Sequence, residues 1–181
     1  MNAREGTAVT LGGILGGGVV GFLARADMLL VTLVRHDTPA FSLIGSAGIV
    51  ITFVLMAIGL TTACVWSQRD KLSPSGTRLA ARWSLAGVAL FSAVVLLTPL
   101  RQELAAPGEL LLFVPIALLL GAVPVWLTGI FVRALPEPRT TPARVGYRLL
   151  AAPAFLASIL VPLMLLGGVL QVLGVIPVPD N

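Results

Sequence analysis

The chain is short of the residue types that a water-soluble domain uses on its surface. Only 11% of its 181 residues are charged, against roughly 25% in an ordinary soluble domain. A soluble fold of this size needs a polar shell, and the residues to build one are missing. Cysteine occurs once, at Cys64, which excludes an intrachain disulfide and any Cys-x-x-Cys redox motif. Histidine occurs once, at His36, so haem attachment or multi-haem ligation within this chain is excluded as well. No glycine-rich phosphate loop and no nucleophile–base pair can be found. The net charge is +4, but no loop interleaves basic with aromatic residues, so no nucleic acid partner is expected. The basic excess is assigned to loop arginines facing an anionic leaflet.

What the chain has instead is apolar sequence in long blocks. Hydrophobic residues make up 57% of it, and runs of about 18 or more such residues match the hydrocarbon thickness of a bilayer. The expected fold is an all-α integral membrane protein, a bundle of five transmembrane helices in a single membrane domain, 1–181. The expected spans are 7–34, 41–66, 83–100, 110–132 and 149–175. Helix-start signals stand ahead of four of them: Thr38-Pro39, Ser73-Pro74, Ala106-Pro107 and Thr141-Pro142. Glu109 falls in a first turn, where the helix dipole favours it. Helices are therefore expected to start before the apolar blocks and protrude. Ala24-Arg25-Ala26 has the small-x-small form of a cleavage site; cleavage there would leave four spans. A composition rich in Ala, Gly, Val, Leu and Arg, with Lys71 the single lysine, suggests a bacterial plasma-membrane protein.

Orientation follows from the arginines. One loop region holds Arg69, Lys71, Arg78 and Arg82, and another Arg133, Arg139, Arg144 and Arg148. The loop after the third block holds only Arg101, with Glu103 and Glu109. The two basic loops are expected in the cytoplasm, with the N-terminus. The C-terminus is then extracytoplasmic. The pairs Arg78/Arg82 and Arg144/Arg148 are spaced to share a helix face at the lipid headgroups, and the apolar strings that follow them admit a weak internal repeat.

Three features could carry function. The string GGILGGGVVG places Gly12 and Gly16, and Gly13, Gly17 and Gly21, at small-xxx-small spacing. Such a face lets another helix approach closely, either in the same chain or in a partner subunit. Arg25 and Asp27 interrupt the first block and are expected in the outer half of the bilayer, where charges are costly and face the bundle interior or water. Asp37, Glu103 and Glu109 are candidate partners for Arg25, and Arg35 or Arg101 for Asp27. An alternative places both charges in water at a helix that overshoots the membrane. His36, with Asp27, Asp37, Glu103 and Glu109, could form an oxygen-rich outward site, but no ligand spacing supports it. No metal and no cofactor is expected.

The other four blocks lack ionisable residues, which weakens a proton-coupled pump or transporter. Their polar groups, Ser46, Thr52, Thr61, Thr62, Ser92, Thr128 and Ser158, are expected to bond backbone carbonyls locally. Pro115, Pro124 and Pro162 are expected to bend their helices, chiefly to suit packing. The leading functional expectation is a non-enzymatic accessory or scaffold subunit, with the lipid bilayer and other membrane subunits, or a second copy, as partners. The alternatives are a small transporter or channel with a pathway near Arg25 and Asp27, and an outward-facing membrane enzyme using His36 and nearby carboxylates.

Overall fold

The structure is a computed structural model that describes residues 1–34, 43–67, 76–97 and 107–172. Among the described residues every regular element is an α-helix: α1 (Ala3–Val34), α2 (Leu43–Ser67), α3 (Gly76–Leu97), α4 (Pro107–Ala134) and α5 (Thr141–Val172). Four of them contain stretches long and apolar enough to cross a membrane: Ala3–Leu30, Gly45–Ser67, Phe113–Ala134 and Thr141–Gly167. α1, α3, α4 and α5 each begin before the apolar block they contain. In α3 this places Arg78 and Arg82 within the helix, ahead of the apolar run that starts at Trp83.

α1 is the centre of the bundle, in contact with α2, α4 and α5. Its neighbours run in register with it in alternating directions. Gly13, Gly17 and Gly21 meet Ile58, Val54 and Val50 of α2, so α2 is antiparallel to α1. Gly12 and Gly16 meet Thr128 and Pro124, so α4 is antiparallel too. Gly6 meets Ala151, and Val9 shares a cluster with Ala154 and Ala157, so α5 runs parallel to α1. α3 packs chiefly on α4, where Gly87 and Gly121 face one another's backbones. The N-terminal ends of α1, α3 and α5 thus share one end of the bundle with the C-terminal ends of α2 and α4.

The larger core cluster joins four helices: Val20 and Ala24 of α1, Phe53, Met56, Ala57 and Leu60 of α2, and Phe113, Ile116 and Leu120 of α4, with Phe91 of α3 against them. The Phe91 ring lies 6.0 Å from both Phe53 and Phe113, centroid to centroid, a spacing at which aromatic pairs attract. A smaller cluster, Val9, Ile58, Val65, Ala154 and Ala157, fills the end near the N-terminus of α1. Ala24 is fully buried, and α1 runs unbroken through Ala24-Arg25-Ala26.

Candidate functional site

The five glycines at 12, 13, 16, 17 and 21 form two faces of α1 rather than one. Residues four apart lie on the same helix face, and a shift of one residue turns by 100°. Gly13, Gly17 and Gly21 therefore form one row, against α2, and Gly12 and Gly16 another, against α4. The approach is at backbone level. A Cβ on Gly17 would lie 2.6 Å from Cα of Val54 and 2.8 Å from the Phe53 carbonyl oxygen; one on Gly16 would lie 2.7 Å from Cα of Pro124. Backbone atoms cannot move aside as a side-chain tip can. Both rows are occupied by helices of the same chain. Gly18, on the outward side of α1 with Ile14, Leu15 and Phe22, has nothing near it.

Pro124 is fully buried at that contact. A proline removes one N–H from the helix ladder, and its ring fills the space left by Gly16. Pro153 in α5 is a fourth internal proline beside Pro115, Pro124 and Pro162.

Arg25 and Asp27 lie toward the other end of α1, roughly 30 Å from Arg4 by helical rise. Both are half-buried. Arg25 Nε donates to Ser46 Oγ of α2 at 3.0 Å. One Asp27 carboxylate oxygen, Oδ2, is buried and has no hydrogen-bond partner among the described residues. Of the groups expected to join them, Arg35, His36, Asp37, Arg101 and Glu103 lie outside the described residues, and so does the side chain of Glu109. Among the described residues no cluster of His, Cys, Asp and Glu is placed to hold a metal.

The small polar residues divide. Thr52, Thr61, Thr62 and Ser158 donate to carbonyls three or four residues back in their own helices. The Ser46 hydroxyl accepts from Arg25. Thr128 differs from expectation. Its hydroxyl is buried against Gly12 and has no hydrogen-bond partner among the described residues; neither has that of Thr10. Burial between two closely packed backbones, rather than access to its own helix's carbonyls, sets the place of the Thr128 hydroxyl.

The end near the N-terminus of α1 is held by polar contacts that the sequence reading missed. Asn2 and Glu5 form a reciprocal cap: Glu5 N–H donates to Asn2 Oδ1 at 2.8 Å, and Asn2 N–H to Glu5 Oε2 at 2.7 Å. The N-x-x-E spacing is the legible signal for it. Arg4 donates to the Val132 carbonyl, one of the last carbonyls of α4, which no later turn can satisfy. Its guanidinium also lies 3.8 Å from Glu137. The Thr7 hydroxyl is 2.9 Å from the carbonyls of Ala3 and Tyr147, tying α1 to α5.

Beyond α4 the chain turns over this end. Pro136, Glu137, Pro138, Arg139 and Thr140, with Ala143 and Tyr147 of α5, line a groove of about 600 Å³. Tyr147 Oη donates to the Pro136 carbonyl at 2.8 Å and Arg144 Nε to that of Pro138 at 3.4 Å, which holds the turn against α5. Arg133, Arg139, Arg144 and Arg148 are exposed around it. No family model matches the chain, and no curated protein or solved structure shows significant similarity to it.

Proposed function

We propose that the chain is a five-span bundle of a bacterial plasma membrane that acts without catalysis, as an accessory or scaffold subunit. The observation that supports this is the interior of α1. Its glycines bring α2 to backbone contact along about two turns and α4 along about one, an arrangement suited to a fixed frame rather than to a path for solute. The third span of this reading is α3, whose apolar run begins at Trp83. In this reading the arginine-rich end, with Arg4, Arg82, Arg133, Arg139, Arg144 and Arg148, faces the cytoplasm. Reporter fusions after Arg69 and Arg139 should both report cytoplasm, and an external signal from either would sink the topology. Migration in a larger assembly when extracted in mild detergent from its own membrane is the result expected of an accessory subunit. A chain that runs alone at its own mass, and conducts a solute in vesicles, would overturn the reading.

A transport function is the second reading, favoured by the buried Asp27 oxygen, which has no partner among the described residues and is close in sequence to Arg25. An ionisable group at membrane depth is a pathway candidate in general. Under this reading Asp27→Asn abolishes flux while leaving the folded protein intact, whereas under the first there is no flux to lose.

A further inference from the structure

The turn between α4 and α5 combines a shape, a charge and an apolar margin that no packing role uses. Two prolines, without N–H groups and with φ fixed, hold it extended. The hydrogen bonds from Tyr147 and Arg144 fasten it to α5. The groove that results, about 600 Å³, is lined by Arg139, Thr140, Ala143 and Tyr147 on its α5 side. The first turn of α5 adds N–H groups with no partner inside the helix and the positive end of a long helix dipole.

The surrounding charge is mainly positive, with Glu137 the carboxylate among the groove's lining residues. Among the described residues at the turn and the adjoining helix ends of α1, α4 and α5, five arginines (Arg4, Arg133, Arg139, Arg144 and Arg148) stand against two glutamates, Glu5 and Glu137. Both glutamates are engaged, Glu5 in the cap with Asn2 and Glu137 beside Arg4. Among the described residues, the exposed Arg133, Arg139, Arg144 and Arg148 have no carboxylate partner. The groove also opens onto an apolar surface. Leu150, a turn beyond Tyr147 and on the same face as Ala143, is exposed, and so is its neighbour Leu149.

We propose that this groove binds the phosphate-bearing headgroup of an anionic phospholipid, with the acyl chains lying along the exposed start of α5. Arg139, which lines the groove, and Arg144, whose Nε reaches the Pro138 carbonyl at its edge, supply the charge that recognises the phosphate, and Tyr147 sits at headgroup level, where tyrosines of membrane proteins concentrate. The apolar margin at Leu149 and Leu150 selects lipid over a free phosphate, since a soluble anion gains nothing from it. The inference rests on the membrane reading above.

The test uses the full chain in detergent, offered equal amounts of phosphatidylglycerol and phosphatidylcholine, with bound lipid counted by native mass spectrometry. Phosphatidylglycerol should be retained in preference. A basic residue near an anionic surface contributes about 1 kcal/mol, so Arg139→Gln should lower the preference on the order of fivefold. Arg139→Gln combined with Arg144→Gln should abolish most of it. Arg82→Gln, exposed on α3 at the same end of the bundle, should leave it unchanged. Equal retention of the two lipids overturns the site, and so does an Arg82→Gln loss as large as that of Arg139→Gln, which would show charge without a place. Release of the lipid by excess inorganic phosphate alone makes the ligand a free anion and overturns the lipid assignment. Flotation with vesicles separates the two levels: a chain that does not float overturns the membrane reading with this one. One that floats without lipid preference overturns the headgroup site alone.

Discussion

α1 and α5 are equally long, 32 residues each, yet they occupy opposite situations. In the most apolar 18 residues of α1, 61% are buried within the chain; in those of α5 the share is 24%. α1 carries its glycines where other helices cross, and its exposed side, with Ile14, Leu15, Val19 and Phe22, is narrow. α5 presents a broad exposed face that includes Leu149, Leu156, Ile159, Leu163 and Leu166, and the Gly167 position meets nothing. Hydrophobicity does not distinguish two such helices, because both are apolar along most of their length. In lipid, tails are as apolar as leucine, so association depends on close packing. Where the side chains are absent is therefore more telling than where they are large.

The sharpest test of this contrast is a leucine placed in each helix. Gly17→Leu should lose the folded, monodisperse protein or lower its stability by about 3 kcal/mol or more, because Val54 and Phe53 oppose it with backbone atoms. Gly167→Leu should leave stability unchanged or raise it by up to about 1 kcal/mol, the propensity gain over glycine. Leu15→Ala, on the exposed side of α1, should matter far less than Gly17→Leu. Equal behaviour of the two leucine variants in thermal unfolding and size exclusion would break the comparison.

The next effect concerns the far end of α1. Arg25→Leu should lower stability by about 1.5–3 kcal/mol, the value of a hydrogen bond to a charged group. Ser46→Ala added to it should cost less than Ser46→Ala alone, since the two share the Nε–Oγ hydrogen bond. A melting temperature that Arg25→Leu does not move would place that side chain in water at the helix end. It would also remove the neighbour that makes Asp27 interesting for transport.

Asn2→Ala should cost about 1 kcal/mol through loss of the reciprocal cap with Glu5. Circular dichroism would show fraying limited to the start of α1. The smallest effect belongs to α5. Leu156→Ala, on its exposed face, should change stability by no more than about 0.5 kcal/mol in detergent. A loss like that of a core leucine would mean that another chain covers this face, and α5 would then resemble α1.

Helix positions were legible because the apolar blocks are long and proline and threonine punctuate the joints. Thr141-Pro142 does stand at the start of α5, and Pro107 opens α4. The contact from Arg25 Nε to the Ser46 hydroxyl of α2 was not legible, because no sequence spacing records which α2 residue lies beside position 25; the carboxylates expected near Arg25 lie outside the described residues. Arg4 satisfies a carbonyl 128 residues away at the end of α4, and no local pattern around it announces that partner. The groove at the α4–α5 turn was equally invisible, because it depends on how Tyr147 and Arg144 fold the turn back.

The sequence alone determined that this chain is helical, that it has long apolar segments, and that glycines at small-xxx-small spacing leave part of α1 free of side chains. Those properties are local: they follow from composition, block length and a fixed periodicity of the helix. Only the tertiary structure decided that the row Gly13, Gly17 and Gly21 belongs to α2, that Gly12 and Gly16 belong to α4, and that α1 is therefore central. Glycine rows state that something approaches closely but not what, since the missing side chain carries no complementary information. The partner is chosen by the shape of the whole bundle, where Pro124 and Thr128 on one side and Val54 and Ile58 on the other have to fit at once.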